Sequence, residues 1–83
     1  MLLDRKLVYK AIDSERNYQN NLERNALKEQ APLEHLSLIK RVVRDMEDAF
    51  YDKPGQPSMD YMRKIAGIAV RCMEQHGVAN RPN

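Results

Sequence analysis

Asp52-Lys53-Pro54-Gly55-Gln56-Pro57 is the stretch on which the fold of this chain turns. A helix cannot run through it, because proline lacks the backbone donor and its ring crowds the preceding turn, while glycine gives up the most backbone freedom on ordering. A second break stands upstream at Ala31-Pro32, where Pro32 suits the first turn of a helix because its missing N–H has no intrahelical partner to lose. Around these breaks lie three stretches with the apolar spacing of helices, and none alternates in the manner of a strand. The spacing predicts helices over about 3–29, 33–51 and 58–76, one helical domain over 1–77, and a tail over 78–83.

The middle stretch is the clearest. Leu36, Ile39, Val43, Met46 and Phe50 step by 3, 4, 3 and 4 and so fall on one seam, which Val42 and Ala49 widen. On its outer side Arg41 with Asp45, and Arg44 with Asp48, are oppositely charged pairs one turn apart. In the first stretch Leu3, Leu7, Ala11, Tyr18, Leu22 and Ala26 make a stripe at spacings of four or seven, interrupted by Ser14. Either Asp13 or Ser14 could cap a second helix there; one continuous helix is the expectation and two shorter ones the alternative. The third stretch opens at Ser58 as an N-cap with Asp60 in the first turn, and stops at Gly77. Met62, Ile65, Ala66, Ala69, Cys72 and Met73 are expected to be its buried face, with Asp60, Lys64, Gly67, Arg71 and Glu74 opposite. Short connections favour antiparallel neighbours, so the expected architecture is an all-α, three-helix antiparallel hairpin arrangement. An 83-residue core leaves only about 3–5 kcal/mol of net stability, and the chain is therefore expected to assemble into a helical-bundle homo-oligomer.

Composition closes several routes to function. Fourteen Lys and Arg against twelve Asp and Glu leave a net charge of +2, without the large basic field that nucleic-acid binding uses. Cys72 is the only cysteine, so no disulfide framework exists within one chain, and a reducing compartment is expected. No apolar run approaches the roughly 20 residues of a membrane span, and Met1-Leu2-Leu3-Asp4-Arg5-Lys6 lacks the uninterrupted apolar region of a signal peptide, which points to the cytoplasm. Asp45, Asp48 and Asp52 share a face that could attract Mg²⁺, but no second carboxylate pair stands on another helix to complete a site. His35 and His76 lack a Cys or carboxylate at ligand spacing. With no Gly-rich phosphate loop and no nucleophile motif, the chain is expected to be a non-enzymatic protein without metal or cofactor.

The basic residues are more informative by position: Arg16 on the first helix, Lys40, Arg41 and Arg44 on the second, and Arg63, Lys64 and Arg71 on the third. Guanidinium forks recognise phosphates bidentately, and Tyr18, Tyr51 and Tyr61 offer stacking surfaces for a base.

Two motifs carry a resemblance. Asp13-Ser14-Glu15-Arg16-Asn17-Tyr18-Gln19, with Met62-Arg63-Lys64-Ile65-Ala66-Gly67-Ile68-Ala69-Val70-Arg71-Cys72-Met73-Glu74-Gln75-His76-Gly77, resembles a group of small, mostly uncharacterised helical proteins of tailed bacteriophages, over about residues 13–77. More distantly the layout is similar to the MazG-like all-α nucleoside triphosphate pyrophosphohydrolases, which hold Mg²⁺ through paired carboxylates on adjacent helices. Asp45-x-x-Asp48 could imitate one such pair, but Arg63, Lys64, Ala66 and Gly67 stand where the other would be. The resemblance implies a nucleotide-binding bundle without the metal motif, in a phage accessory protein that sequesters a nucleotide-type signal of host defence. On that reading Arg16, Arg44, Arg63 and Lys64 meet phosphates, Tyr18 meets the base, and Glu15 or Gln19 meets base or ribose edges. The alternative is an inhibitor that docks on a host protein; a third class is residual pyrophosphohydrolase activity through Asp45, Asp48 and Asp60.

Overall fold

A computed structural model describes residues 2–22, 29–55 and 58–82 of the chain. Three helices form, α1 (Arg5–Asn21), α2 (Pro32–Asp52) and α3 (Asp60–His76), and they pack against one another as an all-α fold. Each starts where local chemistry supplies a partner for a bare amide. Asp4 accepts from the Lys6 N–H at 2.9 Å, Glu34 Oε1 accepts from the Ala31 N–H at 3.2 Å, and Ser58 Oγ accepts from the Asp60 N–H at 3.1 Å. The third helix ends at Gly77, whose φ of +94° is a left-handed conformation that suits glycine. The helix α1 runs unbroken through Asp13-Ser14, so the two-helix alternative does not hold there. It starts at Arg5 and ends at Asn21, where Leu22 turns extended (φ −72°, ψ 123°), so the helix expected over 3–29 is shorter; residues 23–28, including Ala26, lie outside the described residues, as do Gln56 and Pro57 of the break at 52–57.

The order in space differs from the order in sequence. The start of α2 meets the end of α3, where the His35 and His76 rings lie edge to face with centroids 5.9 Å apart, so these two helices are antiparallel. The helix α1 packs on α3 as well, and no Cα of α1 comes within 8 Å of one in α2. Expected neighbours by connection, α1 and α2 are instead separated by α3.

That central position corrects the expected faces. On α3 the buried residues are Gly67, Ile68 and Arg71, two of which belong to the face expected to be polar and outward. Met62 and Met73, expected inside, are about half exposed. On α2 the covered residues are His35 and Met46, with Leu38, Ile39, Val42 and Ala49 half-buried, while Leu36, Val43 and Phe50 of the expected seam stay exposed. On α1 the expected stripe is uncovered at Leu3, Leu7, Ala11 and Tyr18, and the buried residues are Glu15, Arg16 and Gln19. Among the described residues only Met46 and Ile68 are buried apolar side chains, against five buried polar ones. The fold is held at α1 by paired polar groups rather than by an oily seam.

Candidate functional site

The α1–α3 contact is built over Gly67. A Cβ at that position would stand 2.7 Å from Glu15 Cγ and 2.8 Å from Gln19 Nε2, so the missing side chain is what lets one turn of α1 settle on α3. Around it runs a chain of polar contacts. Arg63 Nε donates to Glu15 Oε1 at 2.9 Å, and Arg63 also pairs with Asp60 one turn back. Gln19 Nε2 donates to Glu15 Oε2 at 3.2 Å, while Arg16 donates to Gln19 Oε1 at 3.2 Å, to Asn20 Oδ1 at 2.9 Å, and to Glu74 through an ion pair. The Arg63 guanidinium beside Asp60, helped by the Ser58 hydroxyl, holds that carboxyl below its usual range, and the Glu15 and Asp60 carboxylates hold Arg63 more firmly charged.

Because α1 and α2 stand apart on α3, an open groove of about 640 Å³ runs between them. Its floor is Lys64, Ile68 and Arg71 of α3; Tyr18 and Gln19 rise on the α1 side, and Leu38, Arg41, Val42 and Asp45 on the α2 side. This volume falls within the roughly 300–1,000 Å³ typical of small-molecule sites. A smaller adjoining hollow of about 320 Å³ lies between Ser14, Glu15, Tyr18, Arg63 and Lys64. Arg71 is 5% exposed. Its desolvation, with the like charge of Arg16, pulls its pKa down from the ordinary guanidinium value, and Glu74 opposes that pull.

Six of the seven residues expected in a binding site therefore converge: Glu15, Arg16, Tyr18, Gln19, Arg63 and Lys64 all lie at the α1–α3 junction or along its groove. Arg44 does not join them and is exposed on α2 outside both hollows. Arg16 and Arg63 are spoken for by carboxylates, so as they stand their forks hold helices together. The cations that face the groove are Lys64, Arg41 and Arg71, and the last two were absent from the expected set. The signal for Arg71 was Gly67 one turn earlier, a helix-interior glycine whose cost of about 1 kcal/mol relative to alanine needs a close approach to justify it.

At the other end of α3, His35 is 1% exposed and donates from Nδ1 to the Ala31 carbonyl at 3.1 Å, while His76 donates from Nε2 to the Gln30 carbonyl at 2.6 Å. Gln75 Oε1 accepts from the Gln30 N–H at 2.9 Å. The two histidines thus clasp the start of α2 to the end of α3. Among the described residues no three His, Cys, Asp or Glu converge in a way that could hold a metal ion. No helix among them is long and apolar enough to cross a membrane.

Comparison of the chain with protein-family models, with curated proteins and with solved structures gives no match. The class defined by the fold and the groove is a small all-α protein of three packed helices with a mixed polar and apolar cleft.

Proposed function

We propose that this chain is a non-enzymatic binding protein whose groove between α1 and α2 takes a nucleotide-type molecule. The observation that carries the reading is the groove itself, where Arg41 on α2 and Lys64 and Arg71 on α3 share one cleft with the half-exposed ring of Tyr18. In this arrangement Tyr18 offers its face to a base, Gln19 its amide to a base or ribose edge, and the three cations meet phosphates. Leu38, Val42 and Ile68 supply the apolar lining that a sugar and a base can cover. The phage-protein resemblance of the Glu15-Arg16-Asn17-Tyr18-Gln19 and Arg63-Lys64-Ile65-Ala66 segments favours an accessory role in the cytoplasm of an infected host, sequestering a nucleotide signal of bacterial defence, with copies joined in a homo-oligomer.

Calorimetric titration with cyclic dinucleotides and with ADP-ribose tests this. At least one is expected to give saturable heat, and Lys64→Ala and Arg41→Ala, both at exposed positions, are each expected to weaken it by about 1.5–3 kcal/mol. No heat with any ligand, or heat indifferent to both substitutions, ends the reading.

A second reading, docking on a host protein, is favoured by the exposed Leu36, Val43 and Phe50 on α2. It predicts that one host protein co-purifies with the native chain and is lost from Val43→Asp. The pyrophosphohydrolase reading gains nothing from the geometry, since Asp60 is engaged by Arg63 while Asp45 lies on the groove wall.

A further inference from the structure

Resting on the nucleotide reading of the groove, we propose that the base it takes is guanine, held along its O6, N1–H and 2-amino edge by Arg41 and Asp45 of α2.

These two side chains stand one turn apart on the α2 wall of the groove, at the spacing where a cation and a carboxylate on one helix ordinarily pair. They do not pair here. Among the described residues Arg41 and Asp45 have neither an ion pair nor a side-chain hydrogen bond, and both are exposed. Glu15, the other carboxylate on the groove, has Oε1 taken by Arg63 and Oε2 by Gln19. Asp45 is therefore the carboxylate that the groove leaves open.

An open carboxylate restricts what can lie against it. A phosphate would be repelled, so phosphates belong near Lys64 and Arg71 on the floor, and the part of a ligand that reaches Asp45 must carry donors. A ligand of donors alone, such as a polyamine, would meet three cations in the same cleft. The fitting ligand thus has an anionic end and a donor-bearing end. Guanine sets two neighbouring donors, N1–H and the 2-amino group, where the two oxygens of one carboxylate can accept both, and its O6 beside them accepts from a guanidinium. Adenine sets a 6-amino donor beside the N1 lone pair, so one Asp45 oxygen would face that lone pair and Arg41 would face amino hydrogens. The fork of Arg41 carries more donors than O6 uses, which leaves it able to reach a phosphate as well. Tyr18 rises on the facing wall, so a base stacked on its ring can turn this edge toward α2.

Calorimetric titration of the full chain with GDP against ADP, and with cyclic di-GMP against cyclic di-AMP, is the test. In a pair that binds, the guanine member is expected to bind about tenfold or more tightly than the adenine member, the discrimination that a bidentate base contact supplies. Asp45→Asn presents one acceptor and one donor in place of two acceptors, and is expected to bring the guanine-to-adenine ratio down to about one. That ratio is the quantity to read, because removing a negative charge favours the phosphates of every nucleotide alike. The far-UV circular dichroism of the variant is expected to be unchanged, since Asp45 is exposed and holds no other side chain. Guanine and adenine nucleotides bound equally, or a guanine preference that survives Asp45→Asn, overturns the guanine assignment and leaves the nucleotide reading in place. No heat with any of the four overturns it as well, and no heat with ADP-ribose either ends the nucleotide reading.

Discussion

Gly67 sets how closely α1 can approach, and its replacement separates two opposed effects. Alanine gains about 1 kcal/mol of helix propensity over glycine, but its Cβ meets Glu15 Cγ and Gln19 Nε2 at under 3 Å. The Gln19 amide is the far end of a flexible side chain and can turn aside; Glu15 Cγ is closer to its backbone and tied to Arg63 through the carboxylate. Overpacking of this kind costs about 1–3 kcal/mol, so Gly67→Ala is expected to destabilise the chain by about 1 kcal/mol net in urea unfolding. A stabilised Gly67→Ala would show that α1 does not rest there. Asp60 acts at the same scale through pH. Its carboxyl is held below the ordinary value of 3.8, first by the hydrogen bond from Arg63. A lowered folded-state value adds stability that is present above the unfolded value and is lost as pH falls through the folded one. The melting temperature is therefore expected to drop below about pH 4, and Asp60→Asn is expected to flatten part of that drop in a pH series of thermal melts.

Between elements, the question is what replaces an apolar seam at the α1–α3 contact. Arg16 answers it, with partners on both helices: Gln19 and Asn20 on its own, Glu74 on α3. Arg16→Ala removes these together and strands the buried Gln19 Oε1, at an expected cost of about 1–3 kcal/mol. Glu74 is half exposed, which keeps the loss below that of a fully buried ion pair. Because α1 meets only α3, the variant is expected to free α1 while the α2–α3 hairpin stays folded, seen as lost amide protection confined to residues 12–21 in hydrogen exchange. Uniform loss across all three helices would mean that α1 is integral to the hairpin. This element also marks how far the sequence was legible. The breaks at Pro32 and Pro54–Gly55 and the stop at Gly77 located α2 and α3, because those residues act locally. Which face is buried was not legible: Glu15, Arg16, Gln19 and Arg71 read as outward by hydropathy, and become inward only through partners that the fold supplies. Six residues singled out by type and position lie together at the α1–α3 junction and its groove, whereas Arg41 and Arg71, which also line it, stood outside that set, since the groove exists only because α1 and α2 do not touch.

The whole molecule is more open than its mass calls for. Its radius of gyration is 14.2 Å, against about 12 Å for a compact chain of this length, and its two buried apolar side chains among the described residues make a thin interior. Val43 illustrates the consequence. Placed on the expected seam, it would have made Val43→Asp an unfolding change; at 39% exposed, the carboxylate can stay hydrated, and one chain is expected to keep its helices. What Val43→Asp breaks is the exposed apolar stripe of Leu36, Val43 and Phe50, the face open to a second copy in the proposed homo-oligomer. If burial between copies supplies much of the stability, unfolding and dissociation are one event, and mass action ties the melting temperature to concentration. A roughly hundredfold increase in protein concentration is worth about 2.7 kcal/mol to a dimer, or an expected rise of about 5–10 °C. In Val43→Asp that dependence is expected to vanish while the far-UV spectrum below the melt is retained. A native chain whose melting temperature ignores concentration would place its stability within the single copy, in spite of the thin core.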